Sequence, residues 1–185
     1  MEFIENKDLQ GVYEIRLEPR RDDRGFFMRI YDEKLFAAHG LNCNWVQENH
    51  SRSIKKNTIR GLHFYLPPYS EAKMIRVIHG RIFDVVVDLR KNSHTFGKWV
   101  SYKLNAEDHK WVYIPSGFAH GFCSLVNNTE MIYRHEKAFA PQIDSGIFWN
   151  DHDVKISWPI KRPIISEKDK GLMSMNEFVE LYGGL

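Results

Sequence analysis

The chain has 185 residues, a length that suits one domain with its own core and is short for two. Hydrophobic residues make up 43% and charged residues 27%, and a formal net charge of +2 with no Lys/Arg block argues against a nucleic-acid binder. No stretch approaches the apolar length of a transmembrane helix, so no membrane partner is expected.

The opening residues 1–7 are charged from the start and hold no apolar signal core. Cys43 and Cys123 stand far apart, in no metal-type spacing, and make no disulfide framework; a cytoplasmic location is the expectation. Residues 11–17 alternate weakly as a strand, 19–25 form a charged turn, and 26–31 resume as a strand. Asp32 is a good N-cap for a short helix through Leu35, Phe36 and Ala38 that stops at Gly40. Strands are then predicted over 44–53, 58–63, 73–79, 82–89, 99–104, 111–114, 121–126 and 130–136. Gly80-Arg81 and Asn127-Asn128 read as hairpin turns. Between residues 82 and 89, Phe83, Val85, Val87 and Leu89 share one face, while Ile82, Asp84, Val86 and Asp88 share the other. Such a strand needs cover on both sides. Ser174 and Glu177 form a capping box opening a C-terminal helix that presents Phe178, Val179 and Leu181. The turn spacing predicts an all-β fold, a jelly-roll-like antiparallel barrel with short flanking helices, as one domain over 1–185.

Four stretches carry chemistry. In 47–51, Gln47, Asn49 and Ser51 point to one side of a strand. Arg60-Gly61-Leu62-His63, Pro67-Pro68 and Lys73 put a guanidinium, an imidazole and an ammonium around a stiff turn. In 114–122, small residues deliver His120 at the start of a strand. Tyr133, placed in a hairpin, is followed later by Ser166-Glu167-Lys168-Asp169. Taken singly, each reads as an edge strand, a satisfied turn histidine or a barrel-wall tyrosine.

Together they resemble the dTDP-4-dehydrorhamnose 3,5-epimerase family, from about Gly11 to about Asp169. Carrying the resemblance are Arg24-Gly25-Phe26-Phe27, Gln47-x-Asn49-x-Ser51, Arg60-Gly61-Leu62-His63, Pro67-Pro68, Lys73, residues 114–122, Trp149-Asn150-Asp151 and Ser166-x-Lys168-Asp169. The resemblance implies a cupin-type jelly roll, a homodimer, no metal or other cofactor, and a nucleoside-diphosphate 4-keto-6-deoxysugar as substrate.

The residue types match the chemistry so implied. A hydrogen at C3 or C5 of a 4-ketosugar is acidified by the carbonyl, so inversion needs a base on one face, an acid on the other and a cation for the enolate oxygen. The implied base is His63, held in its tautomer by Asp169; the implied acid is Tyr133, and Lys73 is the oxyanion partner. Arg24, Arg60, His120 and Lys168 are implied for diphosphate and sugar, and Phe27, Arg29, Gln47 and Asn49 for other substrate contacts. Asp84 is expected to be structural, and His39, His50, His79 and His152 have no assigned task.

Two departures qualify the resemblance. Arg29 stands where the family usually has Glu, in a region that contacts the nucleotide base from the neighbouring subunit; a guanidinium only donates, which favours the acceptors of cytosine over thymine. Ala138 and Phe139 supply no aromatic hydroxyl before Ala140-Pro141, which bears on whether C3, C5 or both are epimerised. Two other classes compete: a metal-dependent cupin using His63, Glu71 and His120, though the usual H-x-H pair is absent, and a non-catalytic sugar-binding cupin.

Overall fold

A computed structural model describes residues 1–185. Its strands are β1 (Glu2–Glu5), β2 (Tyr13–Arg16), β3 (Arg20–Asp22), β4 (Gly25–Phe27), β5 (Gln47–Ser53), β6 (Ile59–Tyr65) and β7 (Lys73–His79). They continue as β8 (Arg81–Asp88), β9 (Trp99–Asn105), β10 (Lys110–Ile114), β11 (Phe118–Ser124), β12 (Thr129–His135) and β13 (Asp144–Gly146). Three short helices flank them: α1 (Glu33–Ala38), α2 (Glu167–Lys170) and α3 (Met175–Tyr182). A six-stranded sheet runs β1-β2-β10-β7-β12-β5 and a five-stranded sheet runs β13-β6-β11-β8-β9, with β3-β4 a separate hairpin. The all-β, cupin-type jelly roll is therefore the observed fold. No helix is long and apolar enough to cross a membrane.

Period-two alternation explains how the sheets meet. Ile75, Val77, Val112, Ile114 and Met131 of the six-stranded sheet pack on Ile82, Val86, Leu104, Phe118 and Phe122 of the five-stranded one. The outer face of the five-stranded sheet carries Phe83, Val85, Val87 and Leu89, covered by Val154, Ile156, Met175 and Phe178. β8 is thus buried on both faces, as its sequence requires. Burying each such side chain stabilises the fold by about 1.5–3 kcal/mol.

Asp32 caps α1, accepting from the Leu35 N–H, and the Ser174–Glu177 capping box opens α3. The face α3 buries is Met175 and Phe178; Val179 and Leu181 point outward, the latter 68% exposed, against expectation. Residues 28–31 are not strand: β4 ends at Phe27, and Trp111 Nε1–H donates to the Ile30 carbonyl at 2.8 Å, so a side chain replaces the ladder there. The strand predicted over 121–126 begins earlier, at Phe118, which already pairs with Asp88. Gly80-Arg81 and Asn127-Asn128 are not hairpin turns. β7 and β12 belong to the six-stranded sheet while β8 and β11 belong to the other, so both turns carry the chain from one sheet to the next. Tyr133 accordingly lies between β5 and β7, not in a hairpin. Local turn chemistry is the same in both cases; inter-sheet packing decides.

Candidate active site

The two sheets open at one end around a cavity of about 510 Å³. The five-stranded sheet contributes Arg60, His63 and His120; the six-stranded sheet contributes Gln47, Asn49, Ser51, Lys73, Tyr133 and His135. Arg60 and His63 are three residues apart and would face opposite ways in a regular strand. The register between β6 and β11 shifts, with His63 opposite His120 but Arg60 opposite Phe122, and this irregularity at Gly61 turns both side chains inward. Gly61 has φ +116°, in the region that favours glycine.

His63 Nε2 lies 2.8 Å from Asp169 Oδ1, and the Gly61 N–H donates to Asp169 Oδ2 at 3.2 Å. Ser166, the N-cap of α2, accepts from the Asp169 N–H and fixes where that carboxylate starts. Burial pushes the Asp169 carboxyl up, but the His63 and Gly61 contacts and the Lys168 charge outweigh it and hold it below the usual range. A carboxylate only accepts, so the neutral His63 ring carries its proton on Nε2, which leaves Nδ1 as its basic nitrogen.

A second pair sits behind the first. His120 Nε2 lies 2.7 Å from Asp84 Oδ1, and Asp84 is fully buried with its other oxygen unpartnered. Asp84 does not line the cavity itself; it holds His120, which does, and its inward-facing position on β8 was the available signal.

On the opposite wall, Tyr133 Oη is 3.0 Å from Ser51 Oγ. Burial pushes the Tyr133 phenol up to about 12, against smaller opposing effects of Ser51 and Arg60, so it keeps its proton at neutral pH. Lys73 and Glu71 are both buried, with Lys73 Nζ 3.2 Å from Glu71 Oε1. Glu71 also meets His135 Nδ1 at 3.1 Å. Sequence reasoning gave His135 no role and Glu71 only a metal-ligand one. Their spacing of two from Tyr133 and Lys73, on the same faces, could have found them. His63, Glu71 and His120 line the same cavity, but each is paired with a different residue and they are not grouped as the ligands of one metal ion.

Gln47, Asn49 and Ser51 share one face, as expected, opposite His135, Tyr133 and Met131 of β12. Lys168 lies outside the main cavity and pairs with Asp144 on its rim; with Asp169 it lines an adjoining cavity that shares Arg60 and His63 with the main one. Arg24, Phe27 and Arg29 are not at this cavity. Arg24 pairs with Asp22 in the exposed β3-β4 hairpin, and Arg29 with Asp32 at 2.6 Å. Phe139 stands exposed at the rim, and Tyr65 Oη–H, from β6, donates to the neighbouring Ala138 carbonyl at 3.4 Å.

The profile of a family described as dTDP-4-dehydrorhamnose 3,5-epimerase matches residues 6–177. The chain belongs to that family. It is 45% identical over 149 residues to the dTDP-4-dehydrorhamnose 3,5-epimerase of Shigella flexneri, covering 80% of this chain and 82% of that one. To the enzyme of the same name from Methanothermobacter thermautotrophicus it is 42% identical over 172 residues, 91% and 92% of the two chains. The crystal structure of dTDP-4-dehydrorhamnose 3,5-epimerase from Bacillus anthracis with TDP and PPi bound superposes with a TM-score of 0.90 at 41% identity, covering 94% of this chain and 99% of that one. This member of the epimerase family is accordingly an isomerase. The motif residues Arg60, His63, Lys73, His120 and Tyr133, scattered over four strands of the epimerase, line one cavity.

Proposed function

We propose that the protein epimerises C3 and C5 of dTDP-4-keto-6-deoxyglucose, with His63 as base and Tyr133 as acid. The observation that carries this reading is their placement: an imidazole backed by a buried carboxylate on one sheet, and a protonated phenol on the other, across one cavity. A sugar between the sheets has its two faces towards these two groups. His63 Nδ1 removes the proton next to the carbonyl, and the electron pair moves to the C4 oxygen, where the Lys73 ammonium stabilises the enolate. Tyr133 Oη–H then returns a proton to the opposite face. Exchange with water restores neutral His63 and the Tyr133 phenol, and a second round inverts the other carbon.

His120, fixed by Asp84, and Arg60 serve the sugar and diphosphate as charge-assisted donors. Arg24, Phe27 and Arg29 lie away from the cavity of their own chain, so they reach substrate by serving the cavity of a second copy. The hairpin bearing Phe26 and Phe27, 52% and 76% exposed, has too little cover of its own and supports a homodimer. Arg29 keeps further N–H donors beside its contact with Asp32 and does not by itself choose the base; the relatives' names support the thymidine nucleotide.

The test is incubation in deuterated water with dTDP- and CDP-4-keto-6-deoxyglucose, read by proton NMR. Deuterium at both C3 and C5 of the dTDP sugar is expected. Exchange at one carbon reduces the activity to a single epimerisation, and exchange only with the CDP sugar overturns the nucleotide assignment.

A further inference from the structure

From Lys73 to the rim of the cavity runs an unbroken chain of polar contacts. Glu71 lies between Lys73 Nζ at 3.2 Å and His135 Nδ1 at 3.1 Å. His135 Nε2 is 3.3 Å from Asn49 Nδ2, Asn49 Oδ1 accepts from Gln47 Nε2 at 3.1 Å, and Gln47 Oε1 accepts from the Phe139 N–H at 2.8 Å. Both ends of this chain have a fixed direction. A carboxylate can only accept and a backbone N–H can only donate.

Starting from Glu71, His135 must donate from Nδ1, so the neutral ring accepts at Nε2 and Asn49 must offer it an N–H. Starting from the Phe139 N–H, Gln47 must offer its oxygen outward and its N–H to Asn49 Oδ1. The two fixed ends demand the same orientation of the Asn49 amide. Each amide is left with one unspent N–H, so this wall offers hydrogen-bond donors to a bound molecule.

We propose that Glu71 is a positioning residue that, through the His135 tautomer, fixes Asn49 and Gln47 as donors and so makes this wall a subsite for sugar oxygens that rejects an ammonium substituent. The sugar part of the inference rests on the proposed function; the tautomer part does not.

The first measurement is nitrogen NMR of protein labelled at its imidazole nitrogens, without substrate and at alkaline pH, with His135 assigned through its backbone. The wild type is expected to carry the proton on Nδ1. In Glu71→Gln the side-chain oxygen stays with Lys73, the new amide donates to Nδ1, and the His135 proton moves to Nε2. A wild-type ring protonated on Nε2 overturns the proposal without any variant.

The second is binding of the dTDP-4-keto sugar. Glu71→Gln and Asn49→Ala are each expected to weaken it about tenfold, the scale of one lost or mispaired hydrogen bond. The double variant should bind within about twofold of Asn49→Ala alone, since both act through one chain of contacts. Losses that multiply to about a hundredfold would mean that Glu71 acts independently of the wall and overturn the relay. An amino-substituted analogue that binds the wild type as well as the hydroxy sugar overturns the donor wall. Absence of epimerisation with the expected tautomers intact counts against the proposed function instead.

Discussion

Gly61 and Gly121 touch so closely that a Cβ on Gly61 would stand 2.6 Å from Gly121 Cα and equally close to the His120 carbonyl oxygen. That contact between β6 and β11 is where the register shifts, and the shift is what aims Arg60 and His63 into the same cavity. Gly61→Ala would combine a backbone clash with a left-handed φ. It should cost about 3 kcal/mol or more of stability, seen as a lower urea midpoint with an unchanged slope. An alanine variant as stable as the wild type would show that the β6–β11 contact does not require glycine at position 61.

Asp169→Asn should leave the cavity in place but remove the negative charge behind His63, and its single amide oxygen cannot take over both the His63 and the Gly61 contacts. A fall in kcat of at least about a hundredfold is expected, the range of general base catalysis. The same change has a stability signature. The folded-state pKa of Asp169 is depressed, so its contribution is present above the unfolded value and is lost as pH falls through the folded value. The gap in stability between wild type and Asp169→Asn should therefore be widest near neutrality and close in acid. A gap that widens on acidification would reverse the assignment.

Tyr133→Phe separates abstraction from inversion. His63 still removes the proton and can return solvent deuterium to the face it came from. Deuterium wash-in without inversion is the expected outcome, with turnover to the epimer reduced about a hundredfold or more. Since burial places the Tyr133 phenol at about 12, an alkaline fall in wild-type activity well below that pH belongs to another group. Full inversion by the phenylalanine variant would exclude Tyr133 as the acid.

Lys73→Gln should leave Glu71 buried with only His135 to compensate it. Removing one partner of a buried ion pair costs about 3–5 kcal/mol, which calorimetry or urea unfolding would register. The enolate would lose its cation at the same time, so kcat should fall more than substrate affinity. A large rise in KM with kcat intact would make Lys73 a binding residue only.

The β3-β4 hairpin predicts its own quaternary test. Phe26→Ser with Phe27→Ser should shift sedimentation from dimer towards monomer while circular dichroism stays unchanged. A wild type that sediments as a monomer would leave Arg24 and Phe27 without a cavity to serve.

Strand periodicity made most of the barrel legible. β8 announced its two buried faces through Phe83, Val85, Val87 and Leu89 against Ile82 and Val86, and Asp32 and Ser174 announced their helices through caps that act within one turn. Gln47, Asn49 and Ser51 were readable as one face for the same reason, because side-chain direction in a strand is a local property. What pairs with what is not local. The turns at Gly80 and Asn128 look like hairpins to any rule that sees only neighbours, yet they join different sheets, since the gain from packing the two inner faces is made between residues far apart in the chain. The His63–Asp169 and His120–Asp84 pairs span separations of 106 and 36 residues, and the contacts of Glu71 with His135 span 64. Residue types and faces could thus be read from the sequence by itself. The opposition of His63 and Tyr133 across one cavity, and the direction of the hydrogen bonds from Glu71 to Phe139, were decided by the tertiary structure, because both depend on which strands the two sheets bring face to face.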